Sequence, residues 1–187
     1  QAVEGGERLL DELSMRIDEV SQDYAKFLRI NYGPWDRLQN NIPFLGLDEK
    51  PEGAAFYPAD LSRRELEAWL EAHPADKEAF QSPYTVVRRS NGGLVAIPYS
   101  KIYATHLGKA ALALREAADL TGCKDLARYL QARADSFQND DYFKSEMLWM
   151  DVERCPIDIA IGPYEFYEDR LMGWKTAFAA ILSLRDD

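Results

Sequence analysis

The chain has 187 residues, of which 47% are hydrophobic, and this is enough for one core of ordinary size. Its 32 acidic and 22 basic side chains give a formal net charge of −10, which argues against nucleic acid and anionic membrane surfaces as partners. No apolar run approaches the roughly 18 residues of a membrane-spanning helix. Two cysteines, Cys123 and Cys155, are too few for a disulfide framework, so we expect free thiols.

The first predicted elements are a helix, a loop and two further helices. Apolar residues recur at steps of three and four over residues 7–30, which predicts an amphipathic helix. Proline and glycine interrupt residues 31–60, and the aromatic residues kept there predict a long ordered loop that lies across the core. Ser62 and Glu65 form a capping box at the start of the next helix, and a short helix is predicted over residues 75–81.

The second half of the chain predicts one hairpin and several helices. Two β-rich runs flank Asn91-Gly92, so residues 84–97 are predicted to form a hairpin. Helices are predicted over residues 100–120, 123–138, 140–150 and 168–185, with a short strand over residues 156–161. The fold class is therefore mainly α (α+β): one multi-helix domain over residues 1–187, with a small β-hairpin and strand element and a long ordered loop. The predicted core residues are Leu107, Ala111, Leu114, Leu126, Leu130, Phe137, Trp174, Phe178 and Ile181.

Common catalytic motifs are missing from this sequence. The histidines are His73 and His106, and neither stands in a His-Glu-x-x-His motif. No glycine-rich phosphate-binding motif and no Gly-x-Ser-x-Gly motif occurs. The stretch RRELEAWLE, residues 63–71, matches the glutamate-rich Nudix helix only weakly. We therefore assign neither metal ligands nor catalytic residues within this chain.

An acidic and aromatic cluster, YEFYED at residues 164–169, has two interpretations. Its acids can stand at the start of the final predicted helix, where they favour the helix dipole. Alternatively, the cluster can bind a cationic group, because a carboxylate beside a phenol holds an ammonium by charge-assisted hydrogen bonds. Glu165 and Tyr167 share one face if this stretch is extended. Asp158 and Asp169 complete the candidate substrate-binding set.

The sequence around this cluster resembles the dipeptidyl-peptidase III family of zinc metallopeptidases, especially its bacterial members. In that family an Ile-Gly segment leads into Glu-x-Tyr-x-Asp, then a glycine, then a helix that contains a phenylalanine. The matching residues in IGPYEFYEDRLMGWKTAFAAIL are Ile161, Gly162, Glu165, Tyr167, Asp169, Gly173 and Phe178. The segments KPEGAAFYPADLSRRELEAW and GGLVAIPYSKIYATHLGKAALALREAADLTG also look like bacterial members, so the resemblance runs from about residue 40 to the end.

This resemblance implies a zinc exopeptidase that removes dipeptides from the N-terminus of short peptides. The family's zinc-binding helix, of the His-Glu-x-x-Gly-His type, follows the matched segment and does not occur within residues 1–187. We therefore expect the chain to be part of a larger two-lobed peptidase and to supply scaffold and part of the substrate cleft. It would be inactive without a C-terminal catalytic segment, which would be its partner. Glu165 and Tyr167 would hold the free ammonium of a short peptide substrate.

Two alternatives stay open at the level of sequence. The chain can be a stand-alone helical binding module without catalysis. It can also be an enzyme of another class that binds Mg²⁺ through Asp158, Glu165, Glu168 and Asp169. Because the first residue is Gln1 and not Met, we expect further sequence upstream. The sequence does not decide between the cytoplasm and the periplasm.

Overall fold

This computed structural model describes residues 22–31, 33–44 and 49–185. The helices are α1 (Gln22–Asn31), α2 (Arg63–Ala72), α3 (Lys77–Gln81), α4 (Tyr99–Ile102), α5 (Ala104–Leu120), α6 (Lys124–Asn139) and α7 (Phe143–Met150). The strands are β1 (Trp35–Asp36), β2 (Ile42–Pro43), β3 (Thr85–Ser90), β4 (Gly93–Pro98), β5 (Ile157–Glu165) and β6 (Ala177–Leu184). Short 3-10 turns cover Arg37–Gln39, Pro74–Asp76 and Phe166–Glu168. The mainly α, α+β fold class is confirmed.

Helices α5, α6 and α7 form the main helical layer. Helix α5 packs against α6, and α6 packs against α7. Their apolar faces supply most of the predicted core, and the predicted residues that are buried are Leu107, Ala111, Leu114, Leu126, Leu130 and Phe137. Trp174 and Phe178 are half-buried and pack against this core. No helix within the described ranges combines the length and the apolar character needed to cross a bilayer.

The helix predictions are confirmed where their signals are local. Ser62 caps α2, because its hydroxyl accepts a hydrogen bond from the backbone N–H of Glu65 at 3.2 Å. The helix predicted over residues 100–120 is split into α4 and α5 at the buried Tyr103. Of the helix predicted over residues 7–30, the structure describes only the part from Gln22 onward. Residues 7–21 lie outside the described ranges.

The predicted hairpin is present as strands β3 and β4. The strands pair antiparallel from Thr85 opposite Pro98 to Ser90 opposite Gly93. Asn91 and Gly92 join them with φ values of 48° and 79°, which are the positive values that a tight two-residue turn needs. The local sequence was sufficient for this prediction, because the turn residues and the alternation both lie within the hairpin.

The helix predicted over residues 168–185 is wrong. Residues 177–184 form strand β6, which pairs antiparallel with β5 from Ile157 opposite Leu184 to Glu165 opposite Ala177. The Ala- and Leu-rich composition favours a helix, but pairing with β5 outweighs this weak intrinsic preference. As a result Ile181, which was predicted to be in the core, is 61% exposed. The interpretation of Glu168 and Asp169 as the start of a helix is wrong for the same reason.

The prediction of two free thiols is also wrong. Cys123, just before α6, forms a disulfide with Cys155, just before β5, and the Cα atoms are 5.8 Å apart. The two residues are separated by 32 positions, so no local pattern indicates that they meet. The bond ties the first turn of α6 to the segment that enters β5.

The long loop over residues 31–60 is largely irregular in the parts that are described. It contains the short strands β1 and β2 with a 3-10 turn between them. Phe56 and Tyr57 at its end are buried in the core, as the prediction of a packed loop requires. Residue 32 and residues 45–48 of this loop lie outside the described ranges.

Candidate functional site

The candidate site is built where strand β5 ends. The pairing of β5 with β6 is regular as far as Pro163, which lies opposite Phe178. The next pair is Glu165 opposite Ala177, so Tyr164 is an extra residue that forms a β-bulge. A 3-10 turn over Phe166–Glu168 follows immediately. The bulge and the turn together give each acid of the 164–169 cluster a different environment.

Glu165 and Tyr167 come together at the surface. The carboxylate of Glu165 lies beside the Tyr167 hydroxyl, and this interaction is the main reason why the pKa of Tyr167 is raised. Glu165 is half-buried, whereas Tyr167 is 63% exposed. The stretch is not extended as assumed from the sequence, since the two residues meet across the 3-10 turn. A carboxylate and a phenol are thus available side by side to a ligand from solvent.

Glu168 is held by two cations from the long loop. Its carboxylate forms ion pairs with the Arg37 guanidinium and with the Lys50 ammonium. Arg37 also lies close enough to Tyr167 to lower its pKa in part. These contacts fasten the loop to the 3-10 turn and neutralise Glu168. The cations were missed from the sequence, because they lie more than 110 positions before their partner.

Asp169 is buried, with 4% of its surface exposed, and its carboxylate accepts five hydrogen bonds. Oδ1 accepts from the backbone N–H groups of Leu171 and Met172 at 3.1 and 3.0 Å. Oδ2 accepts from the backbone N–H groups of Trp174 and Lys175 at 2.9 and 3.0 Å, and from the Tyr57 hydroxyl at 2.9 Å. Burial and this carboxylate raise the pKa of Tyr57. Asp169 therefore shapes the loop that leads into β6.

Asp158 does not join this cluster. It lies near the start of β5, opposite Ser183, whereas Glu165 ends the same strand. Seven residues of strand at about 3.3 Å each separate the two Cα atoms by about 23 Å. The structure therefore brings together Glu165, Tyr167, Glu168 and Asp169, but it places Asp158 at the other end of the strand.

Lys175 is buried near Asp169, and sequence reasoning missed it. Its ammonium donates to the backbone oxygens of Phe80 and Ser82 at 2.6 and 2.8 Å, and to the Thr85 hydroxyl at 2.7 Å. Burial lowers its pKa from the ordinary value of 10.5 to about 7, and the charge of Asp169 opposes this change. The side chain ties the loop after Asp169 to the segment that enters the β3–β4 hairpin.

The described residues do not fit a zinc site. Among them there is no group of three or more His, Cys, Asp or Glu side chains that could hold a metal ion. His73 stacks on Trp69 with ring centroids 3.8 Å apart, and its Nδ1 lies 2.9 Å from the Trp69 backbone oxygen. Both cysteines are in the disulfide. We assign no step through zinc to these residues.

Comparison with solved structures gives two close matches. The chain superimposes on DPP III from Caldithrix abyssi with a TM-score of 0.88 and 45% sequence identity, over 95% of this chain and 34% of that one. It superimposes on dipeptidyl-peptidase III from Corallococcus sp. strain EGB with a TM-score of 0.87 and 37% identity, over 94% of this chain and 34% of that one. The chain thus spans about a third of the length of these relatives.

Sequence comparison gives a curated relative with a different name. The chain is 31% identical to Nudix hydrolase 3 of Arabidopsis thaliana, over 92% of this chain and 28% of that protein. The stretch that weakly matches the Nudix helix, residues 63–71, lies within α2. There Glu65 pairs with Arg89 at 2.8 Å. No family model matches the chain. Over the third that it spans, this chain therefore has the fold, and a large share of the sequence, of dipeptidyl-peptidase III, as its motifs predict.

Proposed function

We propose that this chain forms the part of a peptide-binding cleft that holds the substrate's N-terminal ammonium, in a dipeptidyl-peptidase III-like exopeptidase. The observation that carries the proposal is the contact between the half-buried carboxylate of Glu165 and the exposed phenol of Tyr167 at the end of β5. A carboxylate accepts strong charge-assisted hydrogen bonds from an ammonium, and a phenol oxygen beside it can accept another. The pair therefore suits a primary ammonium at the end of an extended peptide.

The environment of the other acids supports Glu165 as the residue that binds the ammonium. Glu168 is already neutralised by Arg37 and Lys50. The carboxylate of Asp169 is buried and already accepts five hydrogen bonds from the chain itself. Glu165 lies beside the Tyr167 hydroxyl and forms no ion pair with any cation in the described part of the chain, so it keeps acceptor capacity for a ligand. Asp169 would act as support, because it fixes the loop that follows the pair.

The role of the chain in the reaction would be to bind and to orient. An exopeptidase that removes dipeptides has to fix the substrate's amino end at a set distance from the scissile bond. A carboxylate on the end of a strand, backed by a buried loop, is a suitable rigid reference point for that purpose. Hydrolysis itself is not assigned to any residue of the described ranges.

The test is the Glu165→Gln variant of the whole gene product. The ligands are tetraalanine and N-acetyl-tetraalanine, and affinity is measured as KM where the peptide is hydrolysed and as Kd where it is not. Loss of one charge-assisted hydrogen bond costs about 1.5–3 kcal/mol, so the affinity for tetraalanine should fall by about 10- to 100-fold. The acetylated peptide has no ammonium, so its affinity should stay the same.

The matched control is Glu153→Gln, which makes the same change at an exposed residue just before β5. It should leave both affinities unchanged. Equal affinities of the Glu165→Gln variant and the parent protein for tetraalanine would refute the proposal. If the charge of Glu165 proves necessary for binding but the whole gene product hydrolyses no peptide, the binding-module alternative replaces the peptidase.

A further inference from the structure

A buried arginine lies directly beneath the bulge of β5. Arg133, on helix α6, has no exposed surface. Its guanidinium carbon lies 5.4, 5.3 and 5.6 Å from the ring centres of Tyr129, Tyr142 and Tyr164. These distances are those of cation–π contacts, so three rings enclose one cation. The proposed ammonium site does not use this group.

A single carboxylate links Arg133 to the bulge. Glu146 Oε1, on helix α7, accepts from Arg133 Nη2 at 2.5 Å and from the Tyr164 hydroxyl at 2.9 Å. We call Arg133, Glu146 and Tyr164 the arginine clamp. A Cβ atom at Gly162 would lie 2.9 Å from Arg133 Nη1 and 3.0 Å from Tyr164 Cζ, so a larger residue at this position would displace the clamp. The clamp thus holds the residues on both sides of Pro163 against the helical layer.

The clamped residue is the one that breaks the strand register. Tyr164 stands between the Pro163–Phe178 pair and the Glu165–Ala177 pair and has no partner of its own. In a regular strand the side chains alternate between the two faces, and a shift of one residue moves every side chain to the other face. Glu165 follows the bulge directly. Its direction therefore depends on Tyr164 keeping the extra position.

Burial of Arg133 is unfavourable for the stability of the fold by itself. Two of its nitrogens, Nε and Nη1, have no hydrogen-bond acceptor among the described residues. Its partner Glu146 keeps 37% of its side-chain surface exposed, so the cost of burial falls on the arginine. Ion pairs that bury a charge are often no more stabilising than apolar residues of the same volume, and in some proteins they specify one arrangement among several. Arg133, Glu146 and Tyr164 together define a single position for the bulge, which an apolar contact would not do.

We propose that Arg133 is a positioning residue for Glu165: through Glu146 and Tyr164 it fixes the bulge and thereby the direction of the ammonium-binding carboxylate. This inference rests on the proposed function. Arg133 does not touch the ligand in this scheme. It acts only through the strand that carries Glu165.

The test uses three variants and two readouts. Tyr164→Phe removes only the hydroxyl that reaches Glu146, and Arg133→Met removes the cation while keeping a long side chain. Arg128→Met is the matched control on the same helix, since Arg128 is exposed and pairs with Asp125 at 3.5 Å, away from the clamp. The first readout is amide hydrogen exchange at Gly162, Glu165 and Ala177. The second is the preference for tetraalanine over its N-acetylated form.

Both clamp variants should speed exchange at these amides by about tenfold and reduce the preference for the free amine by about 5- to 30-fold, whereas Arg128→Met should change neither. If Arg133→Met does not fold, the two readouts of Tyr164→Phe are sufficient for the test. Unchanged exchange and unchanged preference in Tyr164→Phe, with a lost preference in Glu165→Gln, would overturn the clamp and leave the proposed function standing. An unaffected preference in Glu165→Gln would overturn the proposed function and with it the role of the clamp in binding.

Discussion

Replacing Asp169 by asparagine should destabilise the protein strongly. The carboxylate is buried and accepts four backbone N–H groups and the Tyr57 hydroxyl. Asparagine keeps the shape and one acceptor oxygen, which can still serve Leu171 and Met172. Its NH₂ group would face the N–H groups of Trp174 and Lys175, which would lose their acceptor. The variant therefore isolates the loss of one oxygen without creating a cavity.

The expected magnitude follows from those two orphaned donors. A buried donor left without an acceptor costs about 1–3 kcal/mol. The Tyr57 hydroxyl can rotate and accept from the new NH₂ group, so it adds little. The expected loss is about 2–6 kcal/mol, a large part of the roughly 5–15 kcal/mol that stabilises an ordinary domain. With a urea slope of about 2 kcal/mol per M, this loss corresponds to a midpoint lower by about 1–3 M with an unchanged slope.

Two comparisons make this measurement decisive. Asp135→Asn, at a largely exposed residue paired with Arg115, should cost less than about 1 kcal/mol. Tyr57→Phe removes one of the five accepted bonds and should cost about 1 kcal/mol. A loss below about 1 kcal/mol in Asp169→Asn would refute the structural role. If that variant stayed stable but lost its preference for free-amine peptides, Asp169 would contact the substrate itself, as the sequence predicts.

Two further predictions concern groups outside the proposed ammonium site. Reduction of the Cys123–Cys155 disulfide, which spans 32 residues, should lower the free energy of unfolding by about 3–4 kcal/mol in the chain-entropy treatment, and equal urea midpoints with and without reductant would contradict it. Lys175 should make stability rise with pH above about 7, because its folded-state pKa lies below its ordinary value of 10.5 and the unfolded chain binds more protons in that interval. The slope should be at most about 1.4 kcal/mol per pH unit between pH 7 and 9, and Lys175→Met should flatten it.

The parts of the fold that could be predicted from the sequence are those whose signals are local. Asn91-Gly92 supplies both positive φ values of the hairpin turn, and the Ser62 cap lies within one turn of its helix. The apolar periodicity of α5 and α6 is likewise contained within each helix. Strand β6 could not be predicted in this way, because AFAAILSL has the composition of a helix and becomes a strand through its pairing with β5.

In the candidate site, too, the features with local signals could be predicted and those that depend on distant residues could not. The sequence indicated that Glu165 and Tyr167 lie together, although the 3-10 turn and not an extended strand brings them into contact. A turn signal for Asp169 was present, since an aspartate followed within a few residues by glycine is typical of a side chain that caps its own loop. Arg133 carried no such signal, because an arginine on an amphipathic helix ordinarily faces solvent and its partners come from three other segments.

The charges near the pair decide how an ammonium can be recognised there. Glu165 and Glu168 carry two negative charges, and Arg37 and Lys50, which pair with Glu168, carry two positive ones. These four charges sum to zero, so together they attract a distant cation only weakly, and salt screens what attraction remains. Discrimination between an ammonium and an acetylated nitrogen must then arise at contact, from hydrogen bonds whose geometry is fixed. In the proposed function such a site depends on the direction of one carboxylate, so the bulge at Tyr164 and the buried loop around Asp169 should matter as much to binding as Glu165 itself.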